Sequence, residues 1–116
     1  MDTFEKLVKT ALLYAFCFLN AIDMVQTLAF LRMGIEGNLF AVYYPQLWFL
    51  LKFVFTFGLP VGLYLLDVYL ETKEDEGPFS YMRGFVAAVY LLVFFADVFY
   101  LSLVVRNMSV LGRLSP

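Results

Sequence analysis

Three ionisable residues, Asp23, Lys52 and Asp97, each interrupt a long apolar stretch of the chain. A charged side chain at mid-bilayer costs at least about 2.5–3.5 kcal/mol on insertion scales, so such residues face a bundle interior and either pair or handle ions and protons. Helical spacing groups them with other polar residues. Asn20, Asp23 and Thr27, at i, i+3 and i+7, fall within an arc of about 60°. Lys52, Thr56 and Asp67 share a second such arc, with Trp48 adjoining it. Arg83, Tyr90, Asp97 and Leu101 line one face of the last stretch, with Tyr100 to one side. In an up-down-up threading, Asp23, Lys52 and Asp97 lie about 4, 8 and 6 Å from their span centres, all displaced toward the same side. The flexible stem of Lys52 therefore reaches either carboxylate.

Two chemistries fit this constellation. An Asp23–Lys52 ion pair, with Asn20 and Thr27 as hydrogen-bonding neighbours, would fix helix register. Two acids and one base at one depth would instead form a cation or proton site in which one carboxyl gains and loses a proton. One lysine cannot neutralise two aspartates, which favours the second. A third arrangement makes Asp23 and Asp97 an aspartyl hydrolase dyad, but no Gly-x-Gly-Asp surrounds the second acid and Lys52 stands beside it. No enzymatic activity is expected.

These residues need elements that hold them in an apolar medium, and composition says what that medium is. Of 116 residues, 63% are hydrophobic and 16% charged, against about 45–50% and about 25% in soluble domains. The net charge of −2 comes mostly from one acidic loop and the eight Lys and Arg are scattered, so no basic stripe suits nucleic acid. The sequence has no His and the single Cys17 sits inside the first apolar stretch. No cofactor and no metal site is therefore expected.

Residues 10–31 contain Asp23 as their only charge, enough to cross a hydrocarbon core of about 30 Å at about 1.5 Å per residue. The run continues to Leu31 without a small-x-small cleavage site, so it reads as a spanning helix, over about residues 4–32, and not as a signal peptide. The segment 32–38 supplies two glycines, an Asn and both charge signs for a reversal. The second helix is expected over about 39–71, with a break at 44–45 because the residue before proline is pushed out of helical geometry. Pro60 should kink it, and Gly58 and Gly62 on either side offer a small-xxx-small pair for close approach of a neighbour. An acidic loop at 71–78 precedes a third helix over about 79–106. The fold class is thus all-α: one integral membrane domain, 1–116, of three transmembrane helices running up-down-up. Several of the eight tyrosines and Trp48 lie near span ends, as an interfacial belt would, and the fourteen Phe fill lipid-facing and interhelical volume.

At Leu19, Asn20, Asp23, Thr27, Gly34, Glu36, Asn38 and Lys52 the chain resembles a family of small prokaryotic multi-helix membrane proteins of unknown function. Their pattern runs Asn-x-x-Asp, Thr, Gly, Glu-x-Asn-Pro, then Lys in the second span; this chain has Leu39 at the Pro position. The resemblance implies a shared fold and site residues without an activity. It also implies that Glu36 and Asn38 fold back to cap the second helix or join Lys52.

Two functions follow as expectations. The first is conduction or coupling of cations or protons through Asp23, Lys52 and Asp97; three helices enclose little lumen, so this requires a homo-oligomer or a partner. The second is a non-catalytic accessory or scaffold subunit of a larger membrane complex. Membrane lipid is a partner in both. The N-terminal side collects Lys6, Lys9, Lys73 and Arg83 and the other side Arg32, Arg106 and Arg113, which leans toward a cell-membrane protein with a cytoplasmic N-terminus.

Overall fold

The computed structural model describes residues 3–34 and 38–114, and among them every regular element is helical: α1 Thr3–Met33, α2 Leu39–Tyr43, α3 Pro45–Glu71 and α4 Pro78–Leu114. No Gly or Pro falls within α1, which starts with Glu5 in its first turn and ends with Arg32 in its last; both charges complement the helix dipole. Gly34 stops it with φ 72°, a left-handed value that glycine adopts without a Cβ penalty.

Asn38 starts α2 by accepting from the backbone N–H groups of Phe40 and Ala41 at 3.1 and 3.4 Å, satisfying donors that the first helical turn leaves open. Leu39, where the related pattern has proline, is the first residue of α2. Glu36 lies outside the described residues. The chain leaves helical geometry at Tyr44 (φ −132°, ψ 62°), and Pro45 opens α3, where its missing N–H and fixed φ suit a first turn. Helix α3 stays helical through Pro60. At its other end Arg83 of α4 folds back, donating to the carbonyls of Leu70 (2.5 Å) and Lys73, which neutralises the negative end of α3. Gly77, at φ 59°, turns the acidic loop into α4.

Helix α4 runs on to Leu114 instead of ending near residue 106. The apolar pattern fades at Arg106, but no proline follows until residue 116, so nothing ends the helix there. Its inward residues Val86, Tyr90, Val93, Asp97, the half-buried Tyr100 and Val104, and Leu13, Phe16, Asn20, Asp23, Thr27 and Phe30 on α1, recur every three or four residues. That is the seven-residue repeat of helices crossing at a shallow angle. A straight 3.6-residue helix drifts about 20° per heptad from that seam. This is why Leu101, expected on the Asp97 face, is 53% exposed while Tyr100 turns inward.

Contacts between α1 and α3 run in opposite chain order: Lys9 meets Asp67, Cys17 meets Thr56, and Asp23 meets Lys52. Between α1 and α4 they run in the same order. The result is a flat assembly measuring 58 × 28 × 15 Å. Three helices are long and apolar enough to cross a membrane, yet only 28%, 17% and 22% of their apolar windows are buried. Most of the Phe, Leu and Val side chains therefore face outward, far beyond the apolar patches that water-soluble monomers expose.

Candidate functional site

Lys52 projects from α3 into the seam between α1 and α4. Its ammonium pairs with Asp23 Oδ2 at 3.2 Å and donates to Asn20 Oδ1 at 2.5 Å and to the Tyr100 hydroxyl at 3.2 Å. The ammonium also sits 4.2 Å from the centre of the Tyr100 ring, a cation–π contact that strengthens when desolvated. Asn20 is oriented by its own amide, which donates to the Phe16 carbonyl at 2.8 Å. Thr27 is buried one turn past Asp23 on the same face. The structure thus brings Asn20, Asp23 and Lys52 into one cluster and adds Tyr100, which helical-wheel reasoning left at the side.

Asp97 stands apart from this cluster. It is 8% exposed, and among the described residues neither carboxyl oxygen has a hydrogen-bond partner. Neighbouring polar groups bond elsewhere: Tyr90 donates to Asp67 Oδ2 at 3.5 Å, and Tyr100 and Asn20 accept from Lys52. The Asp97 carboxylate lies within electrostatic reach of the Cys17 thiol, and Cys17 Sγ donates to the Thr56 carbonyl at 3.4 Å. That carbonyl lacks its usual helical donor because Pro60, four residues on, has no N–H to offer it. The Thr56 hydroxyl, fully buried, is also without a partner.

Antiparallel packing stacks these groups in layers. Moving one turn from Lys52 to Thr56 on α3 matches moving one turn from Tyr100 back to Asp97 on α4 and from Asn20 back to Cys17 on α1. Asn20, Lys52 and Tyr100 form one layer, and Cys17, Thr56 and Asp97 the next. Leu13, Leu63 and Val93 close the seam beyond them as part of the apolar core.

Past that plug lies a second charged cluster. Lys9 pairs with Asp67 at 3.3 Å and with Glu5 at 3.2 Å, and its ammonium is 5.0 Å from the Tyr90 ring centre. Glu5, Lys9, Asp67, Glu71 and Arg83 line an open cleft of about 490 Å³. Antiparallel helices pair positions whose indices add to a near-constant, so the Asp23–Lys52 pair already pointed to Lys9–Asp67. At the opposite end of the seam Gln26 donates to the Val104 carbonyl at 3.1 Å and accepts from Asn107 at 3.2 Å. A glutamine inside an apolar span must find a partner, and that was the available signal.

Gly58 and Gly62 face outward. A Cβ on Gly62 would meet nothing within 4 Å, and one on Gly58 only Val54 at ordinary contact distance. Among the described residues no other helix packs against a Cβ position at Gly58 or Gly62.

Fold and site together describe an all-helical protein in which, among the described residues, three helices are long and apolar enough to span a bilayer and Asp23, Lys52 and Asp97 turn toward an inner seam. The chain matches the family described as Domain of unknown function (DUF5658) over residues 14–103 and belongs to it. No curated protein and no solved structure matches the chain. Membership in a family without assigned activity agrees with the resemblance drawn from Asn20, Asp23, Thr27 and Lys52 at that level.

Proposed function

We propose that the chain is an integral protein of the cell membrane, threaded up-down-up with its N-terminus cytoplasmic, that exchanges protons or cations through the buried Asp23, Lys52 and Asp97 group as a homo-oligomer. The antiparallel order of α1 and α3 supports the threading, and the distribution of Lys and Arg supports the orientation. One observation carries the functional part: Asp97 is buried with both carboxyl oxygens unpartnered among the described residues, while Lys52 is engaged by Asp23, Asn20 and Tyr100. A carboxyl deep in an apolar bundle without a counter-charge is the group best placed to take up and release a positive charge. Asp23, held by Lys52, sets the register of α1 on α3. Its commitment to that lysine also removes support from an aspartyl dyad, and the reading is of a non-enzymatic protein.

The test is reconstitution into liposomes with pH and cation readouts under an imposed gradient. Asp97→Asn keeps the shape and burial of the side chain, so fold and assembly persist while pH-dependent flux is expected to vanish. Full flux in that variant removes Asp97 from the mechanism. A second reading, an accessory or scaffold subunit of a membrane complex, draws support from the outward-facing Phe53, Phe94 and Phe99, each about half exposed (55%, 47% and 61%). Mass measured after mild detergent extraction separates the two: a homo-oligomer fits transport, and co-purifying unrelated subunits fit the accessory role.

A further inference from the structure

Three oxygen ligands in one layer of the seam lack a strong partner. The Asp97 carboxylate and the Thr56 hydroxyl have none among the described residues, and the Thr56 carbonyl, which loses its i+4 donor at Pro60, accepts from the Cys17 thiol, a weak donor. Each belongs to a residue at least nine-tenths buried. They arrive from two helices at matched height, because Lys52 and Tyr100, one turn away on α3 and α4 respectively, are already bonded to each other at 3.2 Å. The Cys17 thiol marks the third side of the layer.

We propose that this layer binds a small dehydrated monovalent cation of the sodium class, with the Asp97 carboxylate, the Thr56 hydroxyl and the Thr56 carbonyl as its protein ligands. The donor set is all oxygen, which suits a hard cation. Charge selects the valence. Asp23 and Lys52 cancel each other, leaving the one negative charge of Asp97 to be matched; a divalent ion would leave one positive charge uncompensated in an apolar seam. The apolar closure at Leu13, Leu63 and Val93 separates the layer from the cleft at Lys9, so the ion is held without a continuous water path on that side. Pro60 gains a role in this arrangement: it exposes a carbonyl dipole in mid-helix without unwinding α3. This inference rests on the reading of Asp97 as the exchanging group, and names what it exchanges.

The experiment is thermal unfolding of the purified full chain in detergent micelles at constant pH and ionic strength, with sodium chloride titrated against N-methylglucamine chloride. Binding to the folded state alone raises the unfolding midpoint with the logarithm of sodium concentration above the dissociation constant. Asp97→Asn is expected to abolish the sodium response. Thr56→Val keeps the side-chain volume and removes one ligand, and should weaken apparent sodium affinity about tenfold, the scale of one contact to a charged group. Identical wild-type midpoints in the two salts overturn the site without recourse to any variant, as does a full sodium response in Asp97→Asn. The two proposals fail separately: a sodium response without flux in liposomes keeps the site and removes transport, whereas proton flux without a sodium response keeps Asp97 as a proton carrier and removes the cation site.

Discussion

At the scale of single residues the molecule turns on how one lysine is shared. Lys52 meets Asp23, Asn20 and Tyr100 within 3.2 Å, and Asp97 has no hydrogen-bond partner among the described residues. Removing one partner of a buried pair strands the other charge, at a cost of about 3–5 kcal/mol, whereas removing both leaves only a packing change. Lys52→Met and Asp23→Asn should therefore each destabilise the protein strongly, and the double variant less than either lysine or aspartate variant alone. A double-mutant cycle on unfolding in detergent measures this; simple additivity would mean that the pair carries no coupling. The pair itself was legible in the sequence, because face and depth both follow from helical rise and rotation. The role of Tyr100 was not, since a wheel drawn at 100° per residue ignores the supercoil and places Leu101 where Tyr100 belongs.

At the scale of elements, the connection between Pro60 and Cys17 ties two helices by a bond that neither sequence position announces. A proline inside a helix removes the N–H that would serve the carbonyl four residues earlier, and in an apolar medium that carbonyl must be served by something else. Cys17 of α1 supplies its thiol to Thr56 of α3 at 3.4 Å. Cys17→Ala should cost about 0.5–1.5 kcal/mol in the native background, the worth of one hydrogen bond. In a Pro60→Ala background α3 regains its own donor and the Cys17 substitution should become nearly neutral, which unfolding measurements on the four proteins of the cycle would read out. Equal effects of Cys17→Ala in both backgrounds would separate the thiol from the proline. The sequence placed a helix through Pro60 and a break at Tyr44 from local backbone rules. It could not say which residue of another helix faces Thr56, because that depends on the register between α1 and α3. The length of α4 was likewise hidden: hydropathy marks where an apolar span fades, near Arg106, whereas a helix ends where a cap or breaker ends it, and none intervenes before Leu114.

For the whole molecule, the governing fact is its flatness. With 15 Å as its smallest extent, the assembly hides one seam and leaves the outer faces of α1, α3 and α4 without protein cover. The Gly58 and Gly62 stripe lies on such a face, and the room beside Gly62 within the chain is open. A Cβ there meets nothing within 4 Å, so Gly62→Leu should leave the fold of the isolated chain intact and its stability unchanged or raised by up to about 1 kcal/mol, as replacing a mid-helix glycine does. Between copies the effect is expected to be the opposite. Helices associate in lipid through close backbone approach over small residues, without a hydrophobic driving force between them, and a leucine side chain holds two α3 backbones apart. Gly62→Leu should thus shift the detergent-solubilised protein toward the monomer mass while membrane insertion and the Asp23–Lys52 coupling persist. The measurement is mass by light scattering or native mass spectrometry across a range of detergent-to-protein ratios. An oligomer of unchanged mass would move the interface to another face of the slab, with the outward Phe residues of α4 next in line, and would require the lumen that ion exchange demands to be built there instead.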